Sequence, residues 1–136
     1  MKVLIDVNVV LDVLLDRRPH YAASAAVWSA IEGGSVEGVL SAHAVTTIHY
    51  LIRKDAGAAK AKQMLTAILR VFGVAMVDER VILEALEMQW PDFEDSVTAA
   101  AAELAGCDLI VTRDPKGFRG SPVQALAPEA AAHLLG

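Results

Sequence analysis

Cysteine is almost absent from this sequence, which contains one such residue, Cys107, among 136. A single thiol excludes an internal disulfide and is typical of proteins in a reducing compartment. Zinc sites built from cysteine and histidine are excluded as well, because the four histidines lie at scattered positions without the spacing of such sites. The chain is therefore expected to rely on neither disulfides nor structural zinc.

Long apolar runs are also missing. The first one, residues 3–5, is broken by Asp6, too early for a secretory signal peptide. No stretch approaches the roughly 18 uninterrupted apolar residues that a membrane-spanning helix needs. Together with the single cysteine, these absences predict a cytoplasmic protein that has no contact with a membrane.

Aromatic residues are scarce, and glycine is absent from the segment that follows the first predicted strand. Aromatics make up 5% of the chain, so few side chains could stack on nucleic-acid bases. Residues 6–15, which follow the first predicted strand, contain no glycine. Dinucleotide and ATP sites of the phosphate-loop type need glycines there, so that the backbone can approach the phosphates. Both kinds of site are disfavoured.

Apolar residues, by contrast, are abundant. They account for 54% of the sequence and charged residues for 21%, a balance that predicts a packed core rather than disorder. A chain of this length fits one domain and leaves little room for a second. No internal repeat or linker is visible, so we expect residues 1–136 to form a single domain.

The charges are unevenly distributed, although the net charge is only −5. Residues 53–70 contain five basic side chains and one acid, whereas residues 78–108 contain nine acids and one arginine. Such a distribution could bind a metal in one region and attract phosphate to another. The alternative is that these charges are ordinary solvated helix faces.

Short β-branched runs alternate with amphipathic stretches along the chain. This alternation predicts a parallel sheet covered by helices on both faces, a Rossmann-like three-layer α/β/α fold with four or five strands. The predicted strands are 2–7, 36–41, 73–77 and 108–112, with a possible fifth at 123–126. The predicted helices are 9–15, 20–32, 42–54, 58–70, 78–89 and 92–105, with a final one from 128 and a loop at 114–122.

Three acids lie next to predicted strands, in the part of a parallel sheet where ligands usually bind. Asp6 ends the first strand, Asp114 follows the fourth, and Asp95 lies in the first turn of the helix before the fourth. The carboxyl ends of parallel strands meet at one edge of the sheet, so these side chains are expected to converge. Carboxylates without a cysteine or histidine cluster favour Mg²⁺ or Mn²⁺. Such an ion can lower the pKa of a water that attacks phosphorus.

Each acid also has a purely structural interpretation. Asp6 or Asn8 could cap the first helix, Asp92 and Asp95 have the spacing of a helix cap, and Asp114 precedes a proline in a turn. Capping explains each residue separately but does not predict the convergence of all three. Asn8 and Thr112 are candidates to orient the carboxylates by hydrogen bonding, or else are ordinary turn and strand-end residues.

Three motifs in this sequence resemble those of PIN domains. They are LIDVNVVLD at 4–12, DFEDSV followed by alanines at 92–97, and LIVTRD through Phe118 at 109–118. The motifs occur in the family's order and at similar spacing, and together they span nearly the whole chain. Any one of them is a weak indication, whereas the ordered set is specific.

The resemblance implies a Mg²⁺- or Mn²⁺-dependent endoribonuclease that hydrolyses RNA phosphodiester bonds with a metal-activated water. By motif position, Asp6, Asp95 and Asp114 would be the catalytic metal ligands, supported by Asn8 and Thr112, with Asp92 as a further candidate ligand. Small bacterial members are often toxins of VapBC-type toxin–antitoxin pairs, usually homodimers that a cognate antitoxin neutralises. Basic side chains that could attract RNA are Arg53, Lys54, Arg113 and Lys116.

One position departs from the family's pattern. The helix after the second strand usually carries a further acid, and Thr47 occupies that position here. A neutral hydroxyl removes one negative charge from the metal site, although Asp92 or Glu94 could compensate. The alternative hypothesis is therefore a degenerate PIN domain that binds RNA or a protein partner without cleaving it.

Overall fold

The computed structural model describes residues 1–136, and its centre is a sheet of five parallel strands. The strand order is β3-β2-β1-β4-β5, so β1 and β4 are neighbours at the middle. Leu4 is paired with Val39 of β2 on one side and with Ile110 of β4 on the other. The strands are β1 Lys2–Ile5, β2 Glu37–Ser41, β3 Gly73–Ala75, β4 Leu109–Val111 and β5 Ala125–Leu126.

Seven helices and one 3-10 helix, Pro115–Phe118, connect and cover the strands. The helices are α1 Val7–Leu14, α2 Tyr21–Glu32, α3 Ala42–Ala56, α4 Ala58–Val71, α5 Glu79–Met88, α6 Phe93–Leu104 and α7 Pro128–Leu135. None of the seven combines the length and the apolar character that a membrane crossing requires.

Side chains that alternate along the strands divide the core into two layers. Val3 and Ile5 face a cluster that includes residues from α1, α2, α3, α4 and α7. Leu4 and Ile110 face the opposite cluster, which includes residues from α5 and α6. This alternation is the period-two geometry of a strand buried on both faces. The predicted three-layer α/β/α fold is confirmed.

Helix α6 is buried along most of its length. Residues 96–102 are all buried, and the four alanines at 99–102 are fully so. Alanine combines the highest helix propensity with a small side chain, so the helix can form readily and approach its neighbours closely. Tight packing of α6 fixes the direction of its first turn, where Asp95 lies.

The element boundaries agree with the sequence-based expectations except at a few ends. Helix α1 begins at Val7 instead of residue 9, because the Asp6 side chain accepts a hydrogen bond from the Val7 backbone N at 2.8 Å. Asp6, and not Asn8, is therefore the cap. Strand β3 ends at Ala75 instead of 77, β5 covers only two residues, and the loop at 114–122 contains the 3-10 helix.

Candidate metal centre

Asp6 lies where β1 ends, between the two central strands of the sheet. Its side chain is 7% exposed, and both carboxylate oxygens accept hydrogen bonds. Oδ1 accepts from the Val7 backbone N, and Oδ2 accepts from Thr112 Oγ1 at 2.8 Å. Thr112 directly follows β4, so this bond joins the ends of both strands. Asp6 is thus held in one orientation.

Asn8 and Thr112 extend this network to the loop after β4. Asn8 Nδ2 donates to Asp6 Oδ2 at 3.5 Å, and its Oδ1 accepts from the Arg113 backbone N at 3.3 Å. The Asp114 backbone N donates to Thr112 Oγ1 at 3.2 Å. The two residues expected to support the site therefore connect Asp6 to the segment that carries Asp114.

Asp95 and Asp114 approach the same point on the 3-10 helix. A Cβ atom placed on Gly117 would lie 2.8 Å from Asp114 Oδ2 and 3.2 Å from Asp95 Oδ2. Glycine therefore leaves the space that both carboxylates use, since real Cβ atoms essentially never come within 3.0 Å of another heavy atom. The carboxylates of Asp95 and Asp114 lie against one glycine, as the convergence argument required.

Burial, with a smaller effect of neighbouring acids, raises the pKa of two of the carboxyl groups. Burial raises the pKa of Asp6, even though the Thr112 hydrogen bond opposes the shift. Burial, together with the charges of Asp92, Asp6, Glu94 and Asp114, raises the pKa of Asp95 to about 7. A divalent cation would offset this repulsion. The donor set contains only hard oxygens, so the residues present fit Mg²⁺ or Mn²⁺.

Asp92 has a structural role that the sequence also allowed. Its Oδ1 accepts a hydrogen bond from the Asp95 backbone N at 3.2 Å, and it is the N-cap of α6. Ligand atoms of Asp92, Glu94 and Asp95 all lie within 4.8 Å of one another. The cap is therefore observed, and the additional role of Asp92 as a metal ligand stays a prediction.

Thr47 makes no hydrogen bond to the carboxylates of the cluster. The residue is exposed, and its Oγ1 donates only to the His43 backbone O, one helical turn earlier, at 3.3 Å. Helix α3 contacts the site through His43 instead. The Nε2 atom of His43 lies 3.3 Å from Glu94 Oε2. Sequence reasoning did not identify His43 as a neighbour of the site. The only signal in the sequence is its position just after β2, the neighbour of β1.

Arg113 pairs with an acid that lies beneath the site. Its Nε lies 3.1 Å from Oδ2 of Asp12, a side chain that is fully buried. The same oxygen accepts a hydrogen bond from Ser24 Oγ at 3.1 Å. The pair ties helix α1 to the loop that carries Asp114. The role of Arg113 in attracting RNA stays a prediction.

The sequence matches the family model described as "PIN domain" over residues 2–116. The chain belongs to the PIN-domain family. Ribonuclease VapC1 of Aquifex aeolicus (strain VF5) is 26% identical over 132 residues, which cover 94% of this chain and 91% of that relative. The residues that match the family model include the motifs at 4–12 and 92–97 and most of the motif at 109–118.

Solved structures show the same fold. FitAcB from Neisseria gonorrhoeae superposes with a TM-score of 0.73 and 21% identity, covering 93% of this chain and 97% of that one. A toxin–antitoxin complex from Klebsiella pneumoniae gives a TM-score of 0.69 and 19% identity over 93% and 97% of the two chains. At such identities the likeness establishes the PIN-domain fold alone.

Removal of the Arg113 side chain is expected to destabilise the protein. Arg113→Met leaves the Asp12 carboxylate buried without its cation, which costs about 3–5 kcal/mol of unfolding free energy. Urea unfolding measures this change, with Arg119→Met, at an exposed position outside any ion pair, as the control. Equal stabilities of the two variants would contradict the importance of the pair.

The metal-free protein is expected to lose stability as the pH rises. The pKa of Asp95 is raised in the folded state, so its contribution is complete below its usual value and is lost as the pH passes about 7. In EDTA, the melting temperature should fall between about pH 4 and pH 7, less so in Asp95→Asn than in the unaltered protein. Asp55→Asn, at an exposed acid outside the cluster, is the control. Identical pH profiles for all three proteins would refute the crowding of charge at Asp95.

Proposed function

We propose that this PIN domain is a metal-dependent endoribonuclease and the toxin of a toxin–antitoxin pair. The convergence of Asp6, Asp95 and Asp114 at the carboxyl edge of the sheet carries the proposal. An oxygen-only cluster of this kind suits a cation that acts on phosphate esters. The relative from Aquifex aeolicus, named as a ribonuclease, supports RNA as the substrate.

Three acids would bind the metal, and two neutral side chains would orient one of these acids. Asp6, Asp95 and Asp114 would hold Mg²⁺ or Mn²⁺, while Thr112 and Asn8 keep Asp6 oriented through their hydrogen bonds. When bound, the cation supplies Lewis-acid stabilisation of the phosphate charge and lowers the pKa of water. The protein's contribution is to present carboxylates in a fixed arrangement before the substrate arrives.

Exposed basic side chains would attract the RNA backbone. Arg53 and Lys54 are exposed at the end of α3, and Lys116 is exposed in the 3-10 helix beside Asp114. None of these three takes part in an ion pair within the chain. Free cations of this kind raise the local concentration of a polyanion and make its binding salt-dependent.

A protein partner forms part of the proposal. The similar structure from Klebsiella pneumoniae is a toxin–antitoxin complex, which supports a cognate antitoxin for this chain. Homodimer formation, a cytoplasmic location and the single domain at 1–136 stay predictions from the sequence.

Cleavage of RNA tests the proposal directly. The unaltered protein should cleave RNA in the presence of Mn²⁺ or Mg²⁺ and lose this activity in EDTA. Asp6→Asn should lower cleavage about 100-fold or more, because the site loses its most buried charge. Asp55→Asn, which alters an exposed acid outside the cluster, should cleave normally. Equal cleavage by the Asp6→Asn variant would overturn the assignment.

Thr47 favours a second candidate function, a PIN domain that binds RNA or a protein partner without cleavage. The exposed threonine provides no carboxylate from α3, so the site has one acid fewer than the family's usual set. Calorimetric titration with Mn²⁺ distinguishes the two functions. We expect saturable binding that Asp95→Asn removes, since Asp95 is the acid most affected by its neighbours. A protein that binds no Mn²⁺ at all would favour the binding role.

A further inference from the structure

His43 lies at the edge of the carboxylate cluster although it is not an acid. It belongs to the first turn of α3, which begins directly after β2, the strand next to β1. Its side chain is 25% exposed, and its Nε2 lies 3.3 Å from Glu94 Oε2. The imidazole therefore borders the acids at the start of α6.

The two neighbours of His43 Nε2 determine which nitrogen carries a proton. Nε2 lies 3.3 Å from Glu94 Oε2 and 3.4 Å from Thr98 Oγ1. Thr98 donates its only hydroxyl proton to the Glu94 backbone O at 3.1 Å, so toward the ring its oxygen can only accept. An ionised Glu94 can only accept as well. Nε2 must therefore be the donor, and its hydrogen bond restrains the Glu94 side chain.

Glu94 would otherwise be free to adopt many conformations. Its side chain is 50% exposed, and His43 is the only side chain that contacts its carboxylate by a hydrogen bond or ion pair. Fixing a long glutamate side chain costs conformational entropy. A restraint that is present before a ligand arrives lowers this cost, which is the usual effect of a residue that orients a metal ligand.

The position of Glu94 suits a cation shared with Asp95. Their ligand atoms lie within 4.8 Å of each other. Oxygens on opposite sides of Mg²⁺ are about 4.2 Å apart, because each bond is about 2.1 Å long. Glu94 thus lies close enough to Asp95 for the two carboxylates to bind one cation together.

We propose that His43 is a positioning residue, whose Nε2 proton holds Glu94 toward Asp95, so that Glu94 supplies a further carboxylate to the cation. The proposal rests on the metal-dependent function proposed above and assigns a role to two residues outside the ligand set Asp6, Asp95 and Asp114. Helix α3 then contributes a hydrogen bond to the site in place of a carboxylate, since Thr47 is exposed.

Mn²⁺ affinity, measured by calorimetry on the full chain, tests the pairing without reference to activity. We expect Glu94→Gln to weaken binding about 10- to 100-fold and His43→Ala to weaken it about 10-fold. His43→Gln should weaken it less, because its amide retains an N–H donor. In the Glu94→Gln background, His43→Ala should cause no further loss, since His43 acts through Glu94.

Matched variants separate this role from a general effect on folding. His49→Ala changes a histidine further along α3, and Glu103→Gln changes an exposed acid at the other end of α6. Both should bind Mn²⁺ like the unaltered protein. Thermal unfolding in EDTA shows whether each variant is folded. If His43→Ala is not folded, His43→Gln replaces it in the comparison of Mn²⁺ affinities.

Two results would overturn the proposal. One is unchanged Mn²⁺ affinity in His43→Ala and Glu94→Gln while Asp95→Asn abolishes binding, which would leave the proposed function intact. The other is a loss on His43→Ala that is just as large in the Glu94→Gln background. If the unaltered protein bound no Mn²⁺, both this inference and the metal-dependent function would fail.

Discussion

The hydrogen bond from Thr112 to Asp6 joins the two central strands at the edge where the acids gather. Both side chains are buried, and the bond length is 2.8 Å. A buried carboxylate that lacks such a donor is strongly destabilising. The Thr112 hydroxyl also accepts from the Asp114 backbone N, so one side chain sets the positions of two acids. The geometry of the whole centre depends on this connection.

The packing of the helices holds acidic side chains close together, although their charges repel one another. Asp95 carries a pKa of about 7 because it is partly buried among other acids. It remains there because α6 is anchored by the fully buried alanines at 99–102, and Asp114 remains nearby because Arg113 is paired with Asp12. A folded chain that holds like charges together is prepared to bind a cation.

Most of the fold could be predicted because its signals are local. Runs of β-branched residues mark the strands to within a few residues. The caps Asp78 and Asp92 mark the starts of α5 and α6, and Gly106 follows the end of α6. The errors occurred at ends, where a single hydrogen bond decides, as with Asp6 and the start of α1. The convergence of Asp6, Asp95 and Asp114 was also predictable, because the carboxyl ends of parallel strands share one edge.

The sequence by itself determined the layers, the strand-end positions of the acids and the absence of cysteine ligands, because composition and periodicity control these properties. Only the tertiary structure decided which neighbours each side chain meets. It paired Arg113 with Asp12, left Thr47 exposed and brought His43 to Glu94 across 51 positions of the chain. Such contacts depend on how helices α1, α3 and α6 lie on the sheet, and no local pattern encodes those distances.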